Sequence, residues 1–297
     1  MVRAKNGQVY YTTEFALGQL INAGTSKLGT NPLGKESLYP QEYAPELLCG
    51  IARRDTRQAL GIGDELPFRG EDLWNAWELT WLDESGRPAA ATATLRVPVN
   101  SDKIVESKSL KLYLNSFSMS RYVTTSELRQ TIATDLSKIT GSDVIVTLTT
   151  ASESVIDTID EFPGTCIDDS KGDYTATEVD PAVLESNRTE VVNEELHSHL
   201  LRSNCPVTHQ PDLGSVLIRY RGPQIDKTAL LQYVVSFRQH NDFHEACVER
   251  MFVDIKRHCE PKMLTVYARY TRRGGIDINP FRSDFEDAAA NIRLWRQ

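Results

Sequence analysis

Cys205 stands in Ser203-Asn204-Cys205-Pro206-Val207-Thr208-His209-Gln210-Pro211-Asp212, a polar loop punctuated by prolines. A structural thiol usually sits among apolar neighbours, whereas a reactive one needs partial exposure and groups that favour the thiolate. The loop alone leaves two readings open, a nucleophile and an ordinary free thiol. If the loop folds back, Asp212 returns beside the sulfur as proton donor or base. Otherwise it is a turn carboxylate after Pro211.

His244-Glu245 opens a helix for which Asn241 or Asp242 is the expected cap. Glutamate in a first helical turn complements the helix dipole, which is its structural reading. A buried glutamate there could also accept two N–H donors from a guanine-like or pterin-like ring, with the histidine orienting the reacting group. Glu106, in Glu106-Ser107-Lys108, suits similar recognition work. Lys108, Lys111, Arg272 and Arg273, with Gly274 and Gly275 allowing close backbone approach, are phosphate partners or else solvated surface charges. His197-Ser198-His199 has no third ligand at a recognisable spacing, so no metal site is expected. Gly61-Ile62-Gly63 resembles a dinucleotide fingerprint only superficially, because it lacks the third glycine, follows no strand and opens no helix. Any nicotinamide cofactor must then be held outside a Rossmann fold.

The elements that position these residues come as a repeat. Leu110, Tyr113, Ser116 and Phe117 recur 120 residues later as Leu230, Tyr233, Ser236 and Phe237. Before the first copy, Leu73 to Leu82 and Ala91 to Val99 form a hairpin around Asp83-Glu84-Ser85-Gly86-Arg87-Pro88. After it, Thr124 to Glu127 caps a helix with Leu128, Ile132, Leu136 and Ile139 on one face, ending near Gly141, and Asp143 to Leu148 is a strand. The second copy lies among a strand at Gly214 to Tyr220, helices at Lys227 to Arg238 and Phe243 to Arg257, and strands at Met263 to Thr271 and Ile276 to Asn279. Both halves read strand, strand, helix, helix, strand, strand, which excludes a doubly wound parallel sheet. Residues 30 to 60 are expected to wrap the surface, and Lys171 to Asn193 to be a linker, giving domains 1-185 and 186-297.

The chain has 297 residues and a formal charge of −8, with no basic stripe, which argues against direct nucleic-acid binding. Its five cysteines are odd in number and scattered, as expected of reduced thiols. Met1 to Thr13 does not read as a leader, and no run approaches the ~20 apolar residues of a membrane helix. A cytoplasmic protein without a membrane partner is the expectation.

Glu106 to Tyr113, Glu-Ser-Lys-Ser-Leu-Lys-Leu-Tyr, resembles the signature of the NADPH-dependent nitrile reductases of queuosine biosynthesis, the 7-cyano-7-deazaguanine reductases. Ser203 to Thr208 with Gln210-Pro211-Asp212, and Asp242 to Glu245, also resemble that family's loops. Leu33-Gly34-Lys35 with Tyr39-Pro40 and Tyr43 resembles its longer, two-module branch, although Ala52 stands where that branch has proline. The resemblance implies an α+β fold of tandem tunnelling-fold (T-fold) modules, each an antiparallel sheet with a helix pair on one face. It implies reduction of the nitrile to a primary amine by two NADPH, in a step of tRNA modification. Cys205 would add to the nitrile as a thioimide, and Asp212, held neutral, would protonate the nitrogen. Val105, Glu106, Ser107, His244 and Glu245 would hold the deazaguanine, and Ser107, Lys108, Arg273 and Gly274 the NADPH. A homodimer is expected from the sheet edges of such modules. The alternatives are a cyclohydrolase-like purine or pterin enzyme of the same fold and a non-catalytic binding module.

Overall fold

The computed structural model describes residues 39, 40, 42–154 and 158–297. Leu33-Gly34-Lys35 and Met1 to Thr13 lie outside the described residues. In chain order the elements are β1 (Gly50–Ala52), α1 (Arg54–Ala59), β2 (Arg69–Leu82), β3 (Pro88–Pro98), β4 (Lys103–Val105), α2 (Ser107–Asn115), α3 (Thr125–Thr140) and β5 (Ile145–Thr150). There follow β6 (Thr165–Cys166), β7 (Ser186–Asn204), β8 (Pro211–Ile225), α4 (Lys227–Ser236), α5 (His244–Cys259), β9 (Met263–Tyr270) and β10 (Ile276–Ser283). This is a mixed α+β fold. Its main sheet has eight strands in the order β5-β3-β2-β10-β9-β8-β7-β6, antiparallel throughout except where β6 meets β7. β1 and β4 form a separate antiparallel pair.

Local chemistry accounts for the elements that the sequence made legible. Asp83 turns the β2–β3 hairpin by accepting the N–H groups of Ser85 and Arg87, and β2 carries a bulge between Ala76 and Leu79. Thr124 caps α3 by accepting the Glu127 N–H, and the left-handed Gly141 ends it. The four echoed residues do the same work twice. The Tyr113 hydroxyl donates to Asp135 on α3 at 2.6 Å, and that of Tyr233 donates to Asp254 on α5 at 2.7 Å. Ser116 and Ser236 each donate to the carbonyl of the tyrosine three residues back, both at 2.6 Å. Phe117 and Phe237 meet those tyrosine rings edge-on. Each helix pair is thus locked by a phenol–carboxylate bond behind an aromatic corner.

Each pair covers its own core. Leu110, Tyr113, Leu128, Ile132 and Leu136 pack with β2, β3 and β5 residues such as Trp74, Leu95 and Val146. Leu230, Tyr233, Met251, Phe252 and Ile255 pack with Val216 and Ile218 of β8 and Val266 of β9. Leu217, alternating to the other face of β8, joins Tyr267, Phe281 and Leu294 in a cluster covered by the C-terminal segment. The seam where β2 meets β10 is polar. Asn75 and Trp77 donate to Asp277, and buried Asn279 donates to the Leu73 carbonyl.

Four expectations are corrected. Lys171 to Asn193 is not all linker, because β7 already begins at Ser186; its first residues are exposed and polar, so they lack the alternation that marks a strand. Residues 30 to 60 do not merely wrap the surface, since α1 and β1 lie there and Arg53 and Arg57 are buried. Among the described residues the first half supplies β2, β3 and β5 to the sheet, and the next strand, β6, pairs instead with β7 at the far edge. The residue capping α5 is Phe243, which makes no side-chain cap bond, rather than Asn241 or Asp242.

The duplicated lock has unequal redundancy. Asp135 also receives the Tyr43 hydroxyl at 2.7 Å, whereas buried Asp254 relies on Tyr233. Tyr233→Phe should therefore cost about 1–3 kcal/mol and Tyr113→Phe roughly half of that or less, read from urea unfolding midpoints. Equal losses would show that the second bond to Asp135 contributes nothing.

Candidate active site

Cys205 follows the last residue of β7, and Asp212 is the second residue of β8, so both sit at one hairpin end. The connecting loop closes on itself: the Cys205 N–H donates to the Gln210 carbonyl and the His209 N–H to the Cys205 carbonyl. This fold-back puts Asp212 opposite Ser203 in register. The start of α5 is stitched to the same place. The Asn204 N–H donates to the His240 carbonyl, and the Asp242 N–H donates to the Asn204 carbonyl, which carries His244 and Glu245 to the loop. The β9–β10 turn arrives third, because the Thr271 N–H donates to the Leu213 carbonyl and sets Arg273 over Asp212.

These pieces enclose one pocket together with Val105, the last residue of β4, and Ser107, the first of α2. The N-termini of α2 and α5 therefore meet there; Glu106 takes the Lys108 and Ser109 N–H groups at the first, and the second, which has no side-chain cap, favours negative charge. Trp74 and Ile278 supply an apolar wall. Asp212 is buried, with one carboxylate oxygen 3.3 Å from His244 Nε2 and the other 3.3 Å from Arg273 Nε. The His244 ring stacks on Tyr270 at 3.8 Å, which fixes its plane.

Burial pushes the Cys205 thiol up, but the Thr208 hydroxyl, the N–H groups of Thr208 and Val207, and the Arg273 guanidinium outweigh it and hold the thiol below its ordinary value. The other four cysteines are all pushed up, with burial the leading cause in each. Of the five cysteines, Cys205 alone is shifted toward the thiolate. Glu245 shows the opposite behaviour. Burial, reinforced by Asp72 and opposed by Arg53 and Arg282, pushes its carboxyl up to about 8. Its Oε1 is buried without a hydrogen-bond partner, although the residue lines the pocket. An orphaned acceptor of this kind calls for a ligand that brings N–H donors.

The sequence comparisons agree with this chemistry. Residues 39–148 match the family described as nitrile reductase, 7-cyano-7-deazaguanine-reductase N-term, and residues 211–289 match the QueF-like protein family. The NADPH-dependent 7-cyano-7-deazaguanine reductase of Desulfotalea psychrophila is 48% identical over 93% of this chain and 99% of its own length. That of Dechloromonas aromatica is 52% identical over 90% of this chain and 95% of its own. This chain belongs to the 7-cyano-7-deazaguanine reductase family.

For a member of the reductase family, the sequence expectations divide cleanly in space. Val105, Ser107, Cys205, Asp212, His244, Glu245 and Arg273 are brought together in one pocket. Glu106, expected to hold a ring, does not line it: both carboxylate oxygens accept backbone N–H groups, from Lys108 at 2.8 Å and Ser109 at 2.7 Å. In this arrangement it caps α2, whose first residue is Ser107. Lys108 follows it on α2 and does not line the pocket either. Gly274 stands beside Arg273 in the left-handed region at φ +56°, and a side chain there would press on Lys111 at 3.3 Å. Lys111 itself is depressed by burial and by Arg273, against the pull of Glu106, Asp212 and Cys205. Arg272 lies instead over the Trp77 ring.

Sequence reasoning missed the support behind Glu245. Arg53, Arg57 and Arg282 are buried with Asp72 and Glu249, and Glu249 lies one turn along α5 from Glu245. It also missed that Cys166 joins His197 and His199, with one ligand atom from each within 4.8 Å of the others. The available signal was the acid spacing Glu245, Glu249 on a helix; the arginines gave none.

Two measurements follow for this reductase. Alkylation rates resolved by mass spectrometry across pH should give Cys205 a midpoint below the ordinary thiol value of 9.0 and Cys166 one above it. Arg273→Ala should move the Cys205 midpoint upward; an unchanged midpoint removes the guanidinium from the account. Glu245 has a folded pKa of about 8 against an ordinary 4.5, so folding disfavours its charged form. Its neutral form is harmless below the unfolded value, and destabilisation accumulates as pH rises toward the folded one. Glu245→Gln should therefore raise the Tm of ligand-free protein by an increment that grows from about pH 5 to about pH 8, at about 2–4 °C per kcal/mol. An increment independent of pH would contradict this.

Proposed function

We propose that the protein reduces the nitrile of 7-cyano-7-deazaguanine to the primary amine with two NADPH, as a step of queuosine biosynthesis. The observation that carries the reading is the pairing, in one pocket, of a thiol held below its ordinary value with a buried carboxyl that keeps one oxygen unpartnered. The name shared by the curated relatives supports the same substrate and cofactor.

The Cys205 thiolate adds to the nitrile carbon: one S–C bond forms, and the C≡N triple bond becomes a C=N double bond whose nitrogen takes a proton. Asp212 delivers that proton, and His244 and Arg273, each 3.3 Å from it, orient the carboxyl. Glu245 accepts the N–H donors of the deazaguanine edge, with Val105 and Ser107 closing over the ring. The cation set fits a phosphate-bearing cofactor: Arg273 is half-exposed at the pocket and Lys111 packs beside Gly274. Two NADPH molecules, bound there in turn, would each supply one hydride. Ser107, Lys108, Arg273 and Gly274 would hold each. Trp74 and Ile278 exclude water from the reacting carbon.

The fold belongs with this reading as two tunnelling-fold modules, residues 1-185 and 186-297, the boundary falling where β7 begins. The duplicated tyrosine–carboxylate lock supports it. A homodimer formed along the β5 edge, where Ile145 is exposed, suits a sheet with an unpaired outer strand. Among the described residues no helix is long and apolar enough to cross a membrane, which is compatible with a cytoplasmic enzyme that binds no nucleic acid directly.

Incubation with the nitrile in the absence of NADPH should add the mass of one substrate to the peptide carrying Cys205. NADPH should then discharge the adduct and be consumed at two per nitrile. Cys205→Ala should abolish the adduct, and Asp212→Asn should lower kcat by about 10²–10⁴-fold. Folded protein that neither forms the adduct nor oxidises NADPH would refute the assignment.

A further inference from the structure

We propose that Cys166, His197 and His199 form a zinc site at the outer edge of the main sheet, separate from the pocket of Cys205. The thiol and one ring nitrogen of each histidine lie within 4.8 Å of one another, close enough for a single ion to collect all three. The convergence is built by the fold. β6 pairs parallel to β7 with Cys166 opposite His197, and His199, two residues further on β7, shares the face of His197. Gly164, at φ +86°, lets the chain press against β7 so closely that a Cβ there would sit 2.0 Å from the Glu195 carbonyl.

The surroundings of the imidazoles have the form that metal ligands require. His197 Nδ1 lies 3.1 Å from the Pro163 carbonyl, which can only accept, so that nitrogen carries the proton and Nε2 keeps its lone pair. His199 Nδ1 is likewise engaged, 2.8 Å from Ser215 Oγ. Asp168 is held beside the site by the Ser198 hydroxyl and the His199 N–H, and it adds negative charge. A thiolate with two imidazoles is a zinc donor set, and three protein ligands leave a fourth position for water. Exposed Cys166 gives the ion a way in. On binding, the S–Zn bond forms as the thiol proton leaves to solvent. The ion would staple the two-residue strand β6 onto β7. It would also brace the C-terminal segment, whose Trp295 and Arg296 contact His199.

The test uses full-length protein stripped with a chelator and titrated with Co²⁺, whose thiolate charge-transfer band reports a sulfur ligand, then with Zn²⁺. Wild type should bind one ion per chain and show that band, and zinc should raise its Tm. Cys166→Ser should abolish the band, and both it and His199→Ala should weaken zinc binding at least tenfold, with circular dichroism unchanged. Cys205→Ser should leave the band in place. Absence of the band in wild type, zinc binding unaffected by Cys166→Ser, or a band lost in Cys205→Ser instead would overturn the assignment. Zinc content alone would not, since it cannot tell this edge site from a metal in the substrate pocket.

Discussion

Asp72 and Glu249 lie buried among Arg53, Arg57 and Arg282, and the rest of the site hangs on those ion pairs. Asp72 comes from β2, Arg282 from β10, Glu249 from α5, Arg57 from α1, and Arg53 directly precedes α1. The cluster therefore ties the seam between the two halves of the sheet to the helix that bears His244 and Glu245. Buried ions repay their desolvation only when every partner is present, and removal of one typically costs about 3–5 kcal/mol. Burial opposes ionisation of Asp72 and Glu249, but the surrounding guanidinium groups hold both carboxyls below their ordinary values. Glu245, one turn from Glu249, feels the same arginines without a hydrogen bond to its Oε1, and burial prevails. The cluster fixes where that carboxyl stands while leaving it unsatisfied.

The pocket is completed by backbone rather than by side-chain adhesion. Asn204 holds His240 and Asp242, Leu213 holds Thr271, and Glu106 holds the first N–H groups of α2. Each bond joins a chemically active residue's own segment to a neighbour, so Cys205, His244, Arg273 and Ser107 are placed within a residue or two of a fixed point. This is the rigid support that a bond-forming site needs. It also explains why the repeated helix and the unrepeated Glu106-Ser107-Lys108 adjoin. The helix is anchored to α3 by Tyr113, and its capped N-terminus presents Ser107 to the site.

What the sequence disclosed was whatever had a local cause. Thr124 and Gly141 bound α3, Asp83 turns a hairpin, and the Tyr-Ser-Phe echo marks two equivalent helices, because each signal is complete within a few residues. The family loops around Cys205 and His244 were legible for the same reason. Arg53 and Arg57 were illegible because their burial depends on Glu249, which lies 192 residues beyond Arg57. Ser186 to Asn193 looked like a linker because a strand that faces solvent on both sides carries no alternation. The spacing of Glu106 does not show that both of its oxygens accept N–H groups of α2. Cys166 gained meaning only from its register against His197, across a stretch with no motif of its own.

Cys205 and Glu245 are both buried against the same pocket, yet one is pushed toward its anion and the other away from it. The difference lies in donors. The Val207 and Thr208 N–H groups, the Thr208 hydroxyl and the Arg273 guanidinium favour the Cys205 anion, whereas Glu245 has an orphaned oxygen and the nearby Asp72 carboxylate. An anion at the sulfur is favoured by the Arg273 guanidinium, which also stands 3.3 Å from Asp212. Glu245 keeps an unpartnered oxygen until a ligand supplies donors. A ring edge rich in N–H donors would meet that need, and by stabilising the carboxylate it would draw a proton out of the site as it binds. Recognition and nucleophilicity are thereby kept electrostatically separate within one cavity: the sulfur is prepared by the protein, and the carboxylate by its ligand.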